Sequence, residues 1–292
     1  MNLSFPVRLL CYHAAFLNCS RLRLDFIQEK GLQTDHRFSG SAGHLGTNPT
    51  GAVVAARQRL CLFCLPPAGG GAVQYRAWPK ALPSWIDCRP VELPGRGRRL
   101  GQPPETRADD LVARLADELA ADLKPPFALF GHSMGGLLAF ELARELRRSG
   151  RAAPLALFLS AFPAPHPSRE GRRLHDLPRA DLLKELADLG GTPPEVLASD
   201  DLMDLLLPVI RADLSACESW RYRSEEPLGT PIHALAGSAD PRCTPQEMEG
   251  WRTETSIGFN LTVFEGGHFF FQHHLDAIAN LISSHLAAHQ VS

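Results

Sequence analysis

An α/β fold, a doubly wound and mainly parallel sheet carrying a helical lid insertion, is predicted by this 292-residue sequence. Three observations point to it. From Leu60 onward, short apolar runs alternate with helical patterns, as in a parallel sheet covered by helices on both faces. Between Ser160 and Pro231 the alternation stops, leaving helical patterns broken by Pro and Gly. At Gly131-His132-Ser133-Met134-Gly135, a buried apolar strand passes through a sharp turn directly into an amphipathic helix.

The elements follow in order. Residues 1–56 read as an extension outside the folded domain, because the stretch Gly31 to Gly51 is rich in Gly, Ser, Thr, Asn and His and has no periodicity. A regulatory or targeting arm is the alternative. The folded domain is expected over residues 57–292, with strands at Leu60–Leu65, Cys88–Leu93, Phe127–Gly131, Leu155–Ser160, Ile232–Ala236 and Leu261–Phe264. Thr106 can cap a helix that carries Leu111, Leu115, Leu119 and Leu123 on one stripe. Thr244-Pro245-Gln246-Glu247 combines an N-cap, a first-position Pro and a Glu at capping-box spacing. The last helix is expected from about Gln272 to Ala288, and lid helices near Leu177–Leu189, Pro194–Ala198 and Asp201–Trp220. A helical insertion of this kind, over about residues 161–229, reads as a lid.

Composition narrows the function classes. Thirty basic and 32 acidic residues leave a formal charge of -2, so no global field favours nucleic acid or an anionic membrane. No apolar run reaches the roughly 18–20 residues that span a bilayer. The run Leu9 to Leu17 is short, contains His13 and lacks a small-x-small cleavage site, so a secretion signal is discounted. Seven cysteines, an odd number, suit a reducing, cytoplasmic compartment. Cys61 and Cys64 have the spacing of a redox or metal pair, but they sit inside the apolar run Leu60 to Leu65 and read as core thiols.

The Gly-x-Ser-x-Gly pentapeptide is weak evidence alone; the strand before it and the helix after it supply the specificity. A strained elbow is costly to build around an inert serine, so Ser133 is the candidate nucleophile. A serine hydroxyl needs a base within hydrogen-bond reach, and the base needs a carboxylate that fixes its tautomer. Asp240 follows the strand Ile232–Ala236, and His268 follows Leu261–Phe264 through a Gly-rich loop, in the order Ser, acid, His at strand tips. Other candidates read differently. His132 should point away from Ser133, His233 falls within a strand, and His273 and His274 fall in the last helix. Asp213, the rival acid, falls on a lid helix, as a solvated or lid-packing carboxylate. An oxyanion needs preorganised N–H donors. Met134 offers one at a helix N-terminus, and Ala68 is the first residue after Pro66 and Pro67 able to offer another. Gly69, Gly70 and Gly71 either let that loop approach a ligand or make a tight turn.

The segments Leu65-Pro66-Pro67-Ala68-Gly69-Gly70, Leu93-Pro94-Gly95-Arg96-Gly97, Phe127 to Phe140, Leu189 to Glu195, Leu206 to Asp213 and Gly266-Gly267-His268-Phe269-Phe270 occur in this order. Together they resemble the type II thioesterases of non-ribosomal peptide and polyketide biosynthesis, α/β-hydrolases that act in trans. The resemblance spans about residues 58–288. It implies hydrolysis of acyl thioesters on the phosphopantetheine arm of acyl or peptidyl carrier proteins, which clears misprimed or stalled groups. It also implies a triad of Ser133, Asp240 and His268 and oxyanion donors at Ala68 and Met134; serine catalysis of this kind needs no metal or organic cofactor, and a monomer is expected although no sequence feature specifies the oligomeric state. Two positions depart from the family: Pro67 stands where His or Tyr is common, and Gly71 where Ser is common, so the loop shape is less determined than the triad.

Carrier proteins are usually acidic around the pantetheine attachment site, so basic clusters are candidate docking residues: Arg96, Arg98 and Arg99, and Arg169, Arg172 and Arg173. Ordinary solvated arginines are the competing reading. Three other functions stay open on sequence alone: a medium-chain fatty acyl thioesterase or carboxylesterase, an acyltransferase, and a catalytically inactive hydrolase-fold scaffold.

Overall fold

The computed structural model of the chain describes residues 59–165 and 173–289. The expected extension, residues 1–56, lies outside the described residues. Among the described residues six strands form one sheet: β1 (Leu60–Leu65), β2 (Ile86–Pro90), β3 (Phe127–His132), β4 (Leu157–Ser160), β5 (Ile232–Gly237) and β6 (Phe259–Phe264). All are parallel, in the order β2-β1-β3-β4-β5-β6. After β1 the chain moves outward to β2, then returns to the other side of β1 for β3. The strand order reverses between β1 and β3, and the crevice at their carboxyl ends is where open α/β sheets bind ligands.

Around the sheet lie α1 (Trp78–Ala81), α2 (Ala108–Glu118), α3 (Met134–Arg148), α7 (Pro245–Glu249) and α8 (Leu275–Leu286). The central strands β1 and β3 are buried throughout and largely apolar because both faces are covered. Alternate residues serve opposite faces. Phe63, Leu65 and Leu129 pack with Leu115 of α2, Leu138 of α3 and Met248 of α7, whereas Leu62, Cys64 and Phe130 pack with Trp78 of α1 and Ile278 and Ile282 of α8. Truncating a fully buried ring such as Phe130 to Ala should cost about 3–5 kcal/mol. The same alternation answers the Cys61/Cys64 question. Three residues apart on one strand, they enter opposite core layers and cannot share a ligand.

Between β4 and β5 the described residues form α4 (Arg179–Leu189), α5 (Pro194–Leu197) and α6 (Asp200–Ser219). These three helices enclose a small core of their own, with Leu182, Val196, Met203, Leu207 and Ile210. Residues 166–172, at the start of the expected lid, are outside the described set.

Some boundaries differ from the sequence reading. Strand β2 runs from Ile86 to Pro90 rather than from Cys88 to Leu93: among the described residues it pairs with β1 alone, in a register that runs from Ile86 opposite Leu60 to Pro90 opposite Cys64. Arg107, not Thr106, occupies the N-cap of α2 and makes no side-chain cap bond; Asp109 and Asp110 supply negative charge to that helix terminus instead. Helix α2 ends at Glu118, and Leu123 reaches the core through a turn closed by its N–H to the Leu119 carbonyl, at 2.8 Å. His273 and His274 precede α8 rather than lying within it, because a 3-10 turn at Phe270–Gln272 interrupts the expected helix. The capping box at Thr244 and Glu247 is formed as expected.

Candidate active site

The elbow is built by close backbone packing. Ser133 takes the N-cap position of α3 with φ 52° and ψ -121°, a conformation that costs a non-glycine residue about 1–3 kcal/mol. Its N–H is held by the Ser160 carbonyl at 2.7 Å. The flanking glycines are there for steric reasons. A Cβ on Gly131 would stand 1.9 Å from the Gly135 carbonyl oxygen, and one on Gly135 would stand 2.1 Å from that of Leu65. No side chain fits at either position without moving the backbone.

Two later strand tips bring the partners. Gly237 ends β5 where a Cβ would lie 2.6 Å from the Gly267 carbonyl oxygen, so the loop after β5 and the loop after β6 run side by side. They are joined by Ser238 N–H to the Phe264 carbonyl at 2.8 Å and Ala239 N–H to that of Gly266 at 2.9 Å. On this double loop, Asp240 Oδ1 accepts the N–H groups of Arg242 (2.8 Å) and Cys243 (3.2 Å). Its Oδ2 faces His268 Nδ1 at 2.8 Å, and His268 Nε2 lies 2.9 Å from Ser133 Oγ. A carboxylate only accepts, which puts the proton on Nδ1 and leaves the Nε2 lone pair for the serine hydroxyl. Asp240 and His268 are buried, and Ser133 is half-buried. The arrangement can draw a proton from Ser133 and hold it on an imidazolium stabilised by a buried carboxylate.

His132 does point away from Ser133. Its Nδ1 lies 2.9 Å from Ser160 Oγ, and its ring packs 4.2 Å from that of Phe271 and 5.4 Å from that of His268. Burial, and then the neighbouring His268, hold its pKa well below 6.5, so it stands neutral beside the His268 ring at neutral pH. His233 lies in β5, stacked on Phe158, as expected for a structural residue.

The thioesterase-domain family model matches residues 61–286. The chain is 40% identical over 241 residues to the protein named linear gramicidin dehydrogenase LgrE of Brevibacillus parabrevis, covering 82% of this chain and 92% of that one. It is 39% identical over 219 residues to the gramicidin S biosynthesis protein GrsT of Aneurinibacillus migulanus, covering 75% and 86%. Among solved structures, the type II thioesterase BorB from the borrelidin biosynthetic cluster superposes with a TM-score of 0.72 at 41% identity, covering 82% of this chain and 94% of that one. The chain belongs to the thioesterase family.

In this thioesterase the loop after β1 forms a turn in which Gly70 N–H donates to the Pro67 carbonyl at 2.9 Å, with Gly69 at φ 71°. Among the described residues no acceptor faces the Ala68 N–H. Met134, the first residue of α3, presents an N–H that has no partner within its own helix. The glycines of the loop pack against the protein itself. A Cβ on Gly69 would lie 2.7 Å from Ile210 of α6, and one on Gly70 would lie 2.3 Å from Gln74. They serve the tight-turn reading.

The basic clusters require correction. Arg96 is buried, its guanidinium gripping Asp213 with two bonds of 2.6 and 2.7 Å, so it has no face for a partner. Arg99 is committed to Glu118, at 2.7 Å, and to the Glu92 carbonyl. Of the first cluster Arg98 alone is exposed. In the second, Arg173 is exposed and 3.7 Å from Asp176, while Arg169 and Arg172 lie outside the described residues. Asp213, expected as a solvated or lid-packing carboxylate, is 1% exposed and also accepts the Gly69 N–H at 2.7 Å. Phe269 was not anticipated either. The lid loop between α4 and α5 rests on it, a contact that its place in the Gly266 to Phe270 segment does not reveal.

Proposed function

We propose that this thioesterase hydrolyses acyl thioesters carried on the phosphopantetheine arm of carrier proteins in non-ribosomal peptide or polyketide synthesis, with Ser133 as nucleophile, His268 as general base and Asp240 as its orienting carboxylate. The observation that carries the reading is the unbroken hydrogen-bond chain from Ser133 Oγ through His268 to Asp240, at 2.9 and 2.8 Å. The similarity to GrsT and to the type II thioesterase BorB supports the substrate class. The dehydrogenase in the name of LgrE describes that protein; nothing in the proposed cycle uses hydride transfer.

The cycle has two halves. Ser133 Oγ attacks the acyl carbonyl as His268 Nε2 takes its proton, and the N–H groups of Ala68 and Met134 receive the oxyanion. The tetrahedral intermediate expels the pantetheine sulfur, which takes the proton from His268 and leaves as the thiol. Water, deprotonated by His268, then attacks the acyl-serine, and the acid departs as the proton returns to Ser133 Oγ. A thioester suits the site because it has weak resonance and a good leaving group. Arg98 and Arg173 are the exposed cations proposed to meet an acidic carrier protein, with the enzyme acting as a cytoplasmic monomer.

The test is intact-mass spectrometry of an acylated carrier protein incubated with the enzyme or with its Ser133→Ala variant. Loss of the acyl mass with the parent and its retention with the variant is the expected result. Retention with both would reject the function, and loss with both would reject the nucleophile. A series of acyl chain lengths, with matched oxygen esters, separates carrier-protein editing from fatty acyl release or general esterase activity.

A further inference from the structure

Resting on the reading of Ala68 as an oxyanion donor, we infer that Asp213 and Arg96 are positioning residues that hold the oxyanion loop in its donating geometry, making lid helix α6 a working part of the oxyanion hole. Two of the peptide groups after Ala68, those joining Ala68 to Gly69 and Gly70 to Gly71, are tied to this pair. Gly69 N–H donates to Asp213 Oδ2 at 2.7 Å. The Gly70 carbonyl accepts from Arg96 Nη1 at 2.9 Å. The same Nη1 donates to Asp213 Oδ2 at 2.6 Å and Nη2 to Oδ1 at 2.7 Å, while Nε reaches the Pro94 carbonyl at 3.2 Å.

The geometry explains what this network does. The Ala68 N–H shares a peptide unit with the Pro67 carbonyl, and in a trans peptide the two point in opposite directions. The Gly70-to-Pro67 bond that closes the turn therefore aims the Ala68 N–H outward, away from Gly70. Gly69 is the third residue of that turn with φ 71°, the conformation that type II turns need there and that flips the central Ala68–Gly69 peptide relative to type I. Asp213 accepts the N–H of the flipped peptide and so selects it. Gly69 must lack a side chain because Ile210, three residues before Asp213 on α6, occupies the space.

Stability gives no reason for this pair to be charged. A buried ion pair is often no more stabilising than apolar residues of similar volume. The charged groups matter because they bond to loop peptides that an apolar pair could not hold. Asp213 is also not a spare triad acid: both of its oxygens are engaged by Arg96 and Gly69, and His268 Nδ1 is directed to Asp240.

The test uses the full chain and measures kcat and KM on a small acyl thioester, the pH-rate profile, thermal stability, and affinity for a trifluoromethyl ketone whose adduct with Ser133 places an oxyanion in the hole. Asp213→Asn and Arg96→Lys should each lower kcat by about 10²-fold, with KM little changed, because displacement of a donor by about an ångström has that cost. Affinity for the ketone should fall by a similar factor, and the midpoint of the pH profile should stay, since His268 and Asp240 are untouched. The double variant Arg96→Met with Asp213→Leu should recover the melting temperature without recovering kcat. Recovery of kcat together with stability, or parent-like ketone affinity in the single variants, would overturn the positioning role. The double variant carries the test if a single variant folds poorly. Ser133→Ala separates the two readings: if it stays active the serine-nucleophile reading on which the oxyanion hole rests fails, whereas an inactive Ser133→Ala beside a fully active Asp213→Asn rejects the positioning role alone.

Discussion

Gly191, in the lid loop between α4 and α5, lies so close to Phe269 that a Cβ on it would stand 2.1 Å from the edge of the ring. Phe269 adjoins His268 in the chain, and their rings meet edge to face at 5.2 Å. The lid thus bears on the residue beside the candidate base. A second tie joins Glu185 of α4 to Arg242, whose N–H holds Asp240. Gly191→Ala is expected to displace the ring or the lid loop and to lower kcat/KM about tenfold, with Gly191→Val worse. Adding Phe269→Ala should remove most of the effect of Gly191→Ala. Strict additivity in that double-mutant cycle would show that the contact is not the cause.

The strained elbow makes a stability prediction. Ser133→Ala keeps a Cβ at φ 52°, whereas Ser133→Gly relieves the conformation. Both variants should lose hydrolysis by at least about 10⁴-fold. In chemical denaturation, Ser133→Gly should be about 1 kcal/mol more stable than Ser133→Ala. Equal stabilities would mean that the elbow stores no strain at this residue.

Acid should weaken the fold through buried histidines. Burial, and then the neighbouring His285, push the His233 pKa from 6.5 down to about 4. The unfolded chain binds this proton near pH 6.5, and the native state does not until about pH 4. Stability from this site is therefore complete above pH 6.5 and falls as pH drops through that window, by at most about 3 kcal/mol. His132 acts in the same direction. Urea denaturation from pH 7 to 4.5 should show the decline, and His233→Phe should flatten it. An unchanged slope in that variant would assign the decline elsewhere.

Carrier docking is tested on the two exposed arginines. Arg98→Glu combined with Arg173→Glu should raise KM for an acylated carrier protein several-fold and leave a small acyl thioester unaffected, with the difference shrinking at high salt. Equal effects on both substrates would remove these residues from the docking surface.

Most of the catalytic candidates were legible because each announces itself locally. The elbow needs glycines at 131 and 135 wherever a strand turns this sharply into a helix, and Asp240 and His268 each follow an apolar strand that can be read alone. The lid was visible as a break in alternation. Less legible were points settled by competition among neighbours, such as the end of β2 or the N-cap of α2, where Arg107 stands and Thr106 was expected.

Sequence by itself determined the parallel α/β architecture, the order of its strands along the chain, and a serine, an acid and a histidine at three strand tips, since short-range patterns of burial and turn chemistry carry that information. Tertiary structure alone decided the fate of Arg96 and Asp213. One looked like a surface cation and the other like a lid carboxylate, yet they meet across 117 residues of chain, and Asp213 reaches Gly69 across 144. Which charges are buried together depends on where the lid lands on the sheet, and no local pattern encodes that distance.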